Sequence, residues 1–358
     1  MKIGLVTDTH LGARNDSLAF SDYFFKFYDE VFFPYLEEHD IKTVIHLGDI
    51  VDRRKYINYN TLKLFRDDFV YRLGKMGIDT HVIIGNHDTY FKNTNEINSM
   101  DGLFTTLDGK YEPWIYSDPI VKTFDGLDIL MLPWINQNNI EKSMKLIQES
   151  TAPVIMGHLE VKGFLMRLGS RSETGLPASL FERFDLVMTG HFHHKSNDGT
   201  VHYLGAPYEI TWSDYNDPRG FHIFDTDTRR LTYIQNPNHM FYKIFYDDTD
   251  KTFEEMTQRD FSIYNGTYTK VVVQNKNNPY WFDIFLDGLY KADPHDVTIV
   301  ENFDDIYTGD DDLSVDQAED TLTILNHFVD NLETNSDKSE LKKLLHGLYS
   351  EAINIKRE

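Results

Sequence analysis

Five short apolar runs in this chain each end, within a few residues, in side chains able to hold a divalent metal ion. Residues 3–6 lead into Asp8 and His10, 44–47 into Gly48 and Asp49, and 82–84 into Gly85, Asn86, His87 and Asp88. Further on, 154–156 lead into Gly157 and His158, and 186–188 into Gly190, His191 and His193. Apolar runs of this length read as buried strands. Helix-like segments over 20–37 and 61–73 lie between them, which points to an α/β layer architecture. In open α/β sheets ligands bind beyond the carboxyl ends of the strands, so groups far apart in sequence are expected to converge. Glycine directly before four of the five groups lets the backbone turn and approach closely.

Taken singly, each group is weak. An Asp-x-His is common by chance, and a histidine at a strand end is usually satisfied by a backbone carbonyl. Their repetition in order is what packing demands do not explain. Carboxylates and an amide carbonyl suit manganese or magnesium, and imidazoles suit manganese, iron or zinc. The chain has 358 residues, 15 histidines and no cysteine, so no thiolate competes and no disulfide or cysteine nucleophile exists. A carboxylate shared between two ions about 3.5–4 Å apart suits in-line displacement at phosphorus, since the pair activates a water and stabilises oxygens that gain charge. His46, His81 and His202, within or beside strands, are assigned to packing. His194 is either an exposed residue or a contact to the site.

The formal charge of −23 divides into −9 over residues 1–240 and −14 over 241–358. Nucleic-acid binding normally rests on Lys and Arg neutralising phosphates, so a phosphate substrate here needs metal or a partner. A hydrophobic content of 41% excludes disorder. No segment approaches the ~20 apolar residues that span a bilayer, and the expectation is a soluble cytoplasmic protein with no membrane contact. Phe20, Tyr23, Phe24, Phe27, Tyr28 and Val31 read as an apolar helix face rather than a base-stacking surface. A hairpin-like region over 201–233, with Asp217, Pro218, Arg219 and Gly220 as turn signals, closes this part near 240. Strands at 269–273 and 297–300 flanking a helix over 281–290 predict a small α+β module. The run 301–320 holds nine acidic residues and no basic one, and reads as a solvated connection. Helices over 315–332 and 338–355 follow, with Ser314 and Gln317, and Asp337 and Glu340, as N-terminal caps.

The motifs D-T-H (8–10), G-D-I-V-D (48–52), G-N-H-D (85–88), G-H (157–158) and G-H-F-H (190–193) resemble those of the calcineurin-like metallophosphoesterases. D-T-H-L-G at the start, P-W at 133–134, G-A-P-Y at 205–208, N-D-P-R-G-F at 216–221 and F-D-T-D-T at 224–228 narrow the likeness. They resemble the SbcD-like branch, and within it the recombination nucleases of T-even-like bacteriophages. The resemblance covers most of the chain. It implies an α+β sandwich metallophosphoesterase core at 1–240, a small α+β capping and DNA-binding module at 241–300, and an acidic linker with a helical hairpin at 301–358.

The same resemblance implies one ion held by Asp8, His10, Asp49 and His193 and another by Asp49, Asn86, His158 and His191, with Asp49 bridging. It makes His87 the proton donor to the leaving oxygen. Asp88 is expected to orient His87 through its other ring nitrogen, with a helix cap as the alternative. Many archaeal and eukaryotic relatives carry histidine where this chain has Asp52, so a substrate role is not carried over there; support of the ligands or a cap is expected. The implied activity is manganese-dependent, with magnesium as the alternative: exonuclease on double-stranded DNA and endonuclease on single strands. The implied partner is an SbcC-like coiled-coil ATPase that docks on the hairpin. A phosphatase or phosphodiesterase acting on a small molecule or phosphoprotein would use the same ions and is the second reading. Leu62, Phe65, Phe69 and Leu73, with Leu103, Phe104 and Leu107, add to the family likeness in suggesting a homodimer through helices near 61–73 and 101–107. The alternative is that those faces pack on their own sheet.

Overall fold

The computed structural model describes residues 1–104, 113–167 and 170–301, and beyond them Val329, Lys338, Leu341, Lys342 and Leu344. Alternation at period two builds its layers. In the strand Lys2–Val6, Ile3 and Leu5 point to one face and Val6 to the other. Thr43–His46 and Asp79–Ile83 repeat this, with Ile45 and Ile83 joining Ile3 and Leu5, and Val44 and Val82 joining Val6. From the opposing strands, Ile129, Met131, Val154, Met156 and Met188 meet the first set, while Leu130, Leu132, Ile155 and Val187 face away.

Two six-stranded sheets therefore share one core. The first is ordered Leu231–Gln235, Gly220–Asp225, Lys2–Val6, Thr43–His46, Asp79–Ile83, Trp114–Tyr116. The second is ordered Ser196–Asn197, Val201–Tyr203, Leu186–Gly190, Val154–His158, Leu127–Leu132, Ile120–Phe124. Helices cover the outer faces: those within residues 18–38 and 59–75 lie on the first, and Ile140–Glu149 lies on the second. The result is a mixed α/β sandwich. Lys2–Val6, Thr43–His46 and Asp79–Ile83 run parallel, as do Val154–His158 and Leu186–Gly190. Parallel pairing brings the carboxyl ends of each set to one edge of its sheet, where the five ligand groups emerge.

The aromatic stretch packs as expected, with Phe20, Tyr23, Phe24, Phe27 and Tyr28 buried against the first sheet. Phe65, Phe69 and Leu73 are buried in the same core, and Leu103 packs partly against it. Those four side chains are thus engaged within the chain, whereas Leu62 is half-buried outside that core; the Phe104 side chain and Leu107 lie outside the described residues.

The region expected as one hairpin over 201–233 is divided between the sheets. Val201–Tyr203 pairs in parallel with Leu186–Gly190, whereas Gly220–Asp225 pairs antiparallel with both Lys2–Val6 and Leu231–Gln235. The turn signals lie upstream of the real hairpin turn because Asp217 and Arg219 are partners in a buried ion pair.

Phe241–Asp247, a strand the sequence reading missed, joins Tyr268–Asn275 and Asp296–Val300 in a parallel three-stranded sheet. Parallel neighbours need crossovers, and the helix Pro279–Lys291 supplies one. The Asn278 side chain caps that helix by accepting from the Trp281 N–H, and Pro279 fits its first turn. Phe282, Phe285 and Leu289 bury its inner face against Ile244, Tyr246 and Val271. The chain separates into a unit from Met1 to Phe303 and a second from Asp304 to Glu358. The five described tail residues are helical, while 302–328 and both expected capping pairs lie outside the described residues. Among the described residues no helix is long and apolar enough to cross a membrane.

His222, in the strand Gly220–Asp225, is 4% exposed and its Nδ1 has no hydrogen-bond partner. Burial, helped by nearby Lys195 and His202, lowers its pKa from 6.5 to about 3. A base depressed in this way contributes stability above its unfolded pKa near 6.5 that is lost as pH falls toward the folded value. His222→Phe is expected to lessen the fall in urea midpoint between about pH 6.5 and pH 4. An identical pH dependence in both proteins would show that His222 does not hold its proton off.

Candidate metal centre

The ligand groups meet at sharp strand-end turns. Asp8, His10, Asp49 and His191 all have positive φ, at 52°, 41°, 54° and 93°. That region is sparsely populated by non-glycine residues, and such strain is retained where surrounding bonds enforce it. Here those bonds are visible: Asp8 N–H donates to the Gly48 carbonyl at 3.0 Å and His10 N–H to the Asp49 carbonyl at 3.1 Å. Gly48 has a φ of 101°, and a Cβ there would lie 2.5 Å from Nδ1 of His158 and 2.8 Å from Gly85, so close approach as well as the turn requires glycine.

Two clusters flank Asp49: Asp8, His10 and His193 present ligand atoms within 4.8 Å of one another, and so do Asp49, His158 and His191. A third set within the same distance, His10, Asp52 and His87, shares His10 with the first. Asp49 Oδ2 lies 3.8 Å from His10 Nε2 and 3.2 Å from His158 Nε2, and so faces both. Asn86 Oδ1 lies 3.0 Å from His158 Nε2 and 3.0 Å from His191 Nδ1. His10 Nε2 and His193 Nε2 point at each other across 2.9 Å. His158 donates its Nδ1–H to the Leu47 carbonyl at 2.8 Å, which turns Nε2 inward toward two oxygens that can only accept.

This convergence of acceptors is the chemistry of a cation site. A proton on His158 also answers it: burial opposes the charge, but the Asp49 and Asp8 carboxylates raise that pKa to about 9. Burial likewise opposes charge on His10, yet Asp52, Asp49 and Asp8 lift it to about 9. His191 has its pKa lowered to about 3, by burial and then by His158, and His193 is also lowered, by burial and then by His10. Asp49 is itself held well below the carboxylate range by His158, His87 and His10 in spite of burial. The donor set of carboxylates, an amide oxygen and imidazoles fits divalent ions.

The family model for calcineurin-like phosphoesterases matches residues 1–195, a span that contains every residue of both clusters. The chain belongs to this family. Among curated relatives of this calcineurin-like phosphoesterase, it is 31% identical over 355 residues to exonuclease subunit 1 of Enterobacteria phage T4, covering 98% of this chain and 99% of the relative. It is 25% identical over 194 residues to the SbcD component of the SbcCD nuclease of Staphylococcus saprophyticus, covering 51% of this chain and 45% of that one.

All seven residues expected as metal ligands reach the site, but two neighbours behave differently from expectation. Asp88 does not face the His87 ring. Its carboxylate accepts from the N–H groups of Asp49 at 2.8 Å, Ile50 at 3.0 Å, Val51 at 3.4 Å and Gly85 at 2.9 Å, so it pins two ligand loops together. Burial and then Asp49 push its pKa up to about 6 against those donors. His87 instead donates its Nδ1–H to the Asp52 carbonyl at 2.6 Å. Asp52 serves one candidate ligand as well, since its Oδ1 stands 3.5 Å from His10 Nδ1. His194 is not an exposed residue: its Nδ1 meets Asp217 Oδ2 at 2.8 Å. Sequence spacing held no signal for the Asp88 role, because its partners are backbone N–H groups of another loop.

Asp88→Asn is expected to lower the melting temperature, because the amide NH₂ turns toward N–H donors and each donor left unpaired costs roughly 1–3 kcal/mol. The dependence of rate on leaving group, which reports proton donation by His87, should stay as in wild type. Unchanged stability with an altered leaving-group dependence would restore the orienting role to Asp88.

Proposed function

We propose that the chain is the nuclease subunit of a two-protein DNA-processing complex, hydrolysing phosphodiester bonds with two divalent ions, manganese or magnesium, at this site. The observation that carries the reading is Asp49 Oδ2 facing both His10 and His158, within a complete donor set. The near full-length similarity to a phage exonuclease subunit supports DNA as the substrate class. Two bound ions would supply Lewis-acid stabilisation of the phosphoryl oxygens and acidify an attacking water. Asp8, His10, Asp49 and His193 would hold one, and Asp49, Asn86, His158 and His191 the other. His87, with Nδ1–H committed to Asp52, keeps Nε2 free to protonate the leaving oxygen. In this reading residues 1–240 are the nuclease domain and 241–300 the cap. Segment 301–358 docks on a coiled-coil ATPase of the SbcC kind, whose basic surface offsets the −23 charge of this chain. A homodimer near 61–73 and 101–107 would have to use side chains other than the buried Phe65, Phe69 and Leu73.

Chelated protein is expected to be nearly inert on DNA and on an aryl phosphodiester and to regain both activities with manganese. Asp49→Asn should lose most of each, since it weakens both ion positions. Full activity of that variant, or faster turnover of a phosphomonoester than of DNA, would falsify this reading. For His87, general acid catalysis is typically worth ~10²–10⁴ in rate, so His87→Gln should lose about that much on DNA while keeping both ions. An activated aryl leaving group, which needs no proton, should recover much of the loss. Loss of bound metal in His87→Gln would make it a ligand instead.

A further inference from the structure

The segment N-D-P-R-G-F carries a buried charge network that the proposed reaction does not use. Arg219 is 5% exposed, and its Nη2 pairs with Asp214 Oδ1 at 2.7 Å and Asp217 Oδ2 at 2.8 Å. Its Nη1 donates to the backbone carbonyl of His193. Asp217 also holds Nδ1 of His194 at 2.8 Å, and the Lys195 ammonium lies 3.2 Å from the centre of the Tyr233 ring. Three consecutive residues, 193–195, are thus gripped by the segment 217–233. That segment is itself braced, since the Arg219 carbonyl accepts the Tyr233 hydroxyl at 2.6 Å and the Asn236 N–H at 2.7 Å.

Burying an ion network is often no better for stability than apolar packing of the same volume, so its use here points to placement rather than to stability. Arg219 immediately precedes Gly220–Asp225, the strand paired with Lys2–Val6, which leads into Asp8 and His10. His193 follows Leu186–Gly190 of the other sheet. The cluster Asp8, His10, His193 therefore draws ligands from both sheets, and Arg219 is a cross-link between them. Other bonds hold the second cluster's histidines: His158 Nδ1–H reaches the Leu47 carbonyl at 2.8 Å, and His191 N–H reaches Asp8 of the first cluster at 3.0 Å.

We propose that Arg219, held by Asp214 and Asp217, is a positioning residue that sets His193 against Asp8 and His10 and so governs the ion held there, leaving the ion at Asp49, Asn86, His158 and His191 unaffected. This rests on the two-ion reading of the site. The test is a manganese titration of the metal-free full chain, followed by equilibrium dialysis and electron paramagnetic resonance. Wild type should bind two ions and give the spectrum of a spin-coupled pair. Arg219→Lys, and more mildly Asp217→Asn, should bind one ion about 10–100-fold more weakly and the other nearly unchanged, with the hyperfine pattern of an isolated ion replacing the coupled spectrum. A folded Arg219→Lys with wild-type affinities and a coupled spectrum overturns the inference, as does equal weakening of both ions. Unfolding of both variants also overturns it, by making the network a folding element. Wild type that binds fewer than two ions sinks the two-ion reading, and the inference with it.

Discussion

Three carboxylates, Asp8, Asp49 and Asp88, are buried within one cluster at 1% exposure or less, and the rest of the site is arranged around that fact. Removing such a group from water costs several kcal/mol unless charge or hydrogen bonds replace the solvent. Each carboxylate is answered differently. Asp88 receives four backbone N–H groups and so becomes a fastener. Asp8 takes the Thr7 hydroxyl at 2.7 Å and the His191 N–H, and burial still raises its pKa. Asp49 takes one N–H, from His87 at 2.8 Å, and otherwise faces imidazoles. Burial opposes its charge, but the facing His158, His87 and His10 favour the ionised form, which suits a carboxylate placed between two cation positions.

The same arrangement ties the two sheets together. Asp49 and Asn86 leave the first sheet, His158 and His191 the second, and they meet at hydrogen-bond distance. Ring nitrogens that face away from the centre are committed to protein groups, as with His158 on Leu47 and His87 on Asp52, so the inward nitrogens are fixed in direction. His46 lies outside this scheme: its Nδ1 accepts from the Gly48 N–H at 3.2 Å and its Nε2 meets Thr9 Oγ1 at 3.0 Å. It is a packing residue that shapes the Asp49 loop, as its place inside a strand suggested.

Much of this was legible because side-chain alternation and strand-end ligands are local in sequence. The strands around Ile3, Val44, Val82, Val154 and Val187 follow from it, as does the convergence of the seven candidate ligands. What escaped the reading was long-range or held by the backbone. The ladder that splits 201–233 between two sheets depends on which strand Gly220–Asp225 finds, and that is Lys2–Val6, more than two hundred residues away. Asp217 and Arg219 looked like turn residues because loop composition and a buried ion pair use the same side chains. The positive φ of Asp8, His10 and Asp49 has no glycine to announce it.

The distribution of positive charge follows the same logic. Arg53, Arg54 and Lys55 directly follow Asp52, and in a chain of net charge −23 such a run invites assignment to substrate phosphate. Two of the three are already committed. Arg53 pairs with Asp16 at 2.7 Å and bonds Asn15 at 2.7 Å, in the turn that follows His10. Arg54 bonds the carbonyl and hydroxyl of Thr89 at 2.9 and 2.8 Å, in the loop that follows His87. A guanidinium anchored in this way fixes the Asp52 loop between two ligand loops, which is how Asp52 can serve His10 and His87 together. With its arginines used as fasteners, the site meets a phosphoester with imidazoles and carboxylates. Carboxylates repel an anionic diester unless cations lie between them, so the charge balance at this edge requires the divalent ions that the ligand geometry accommodates.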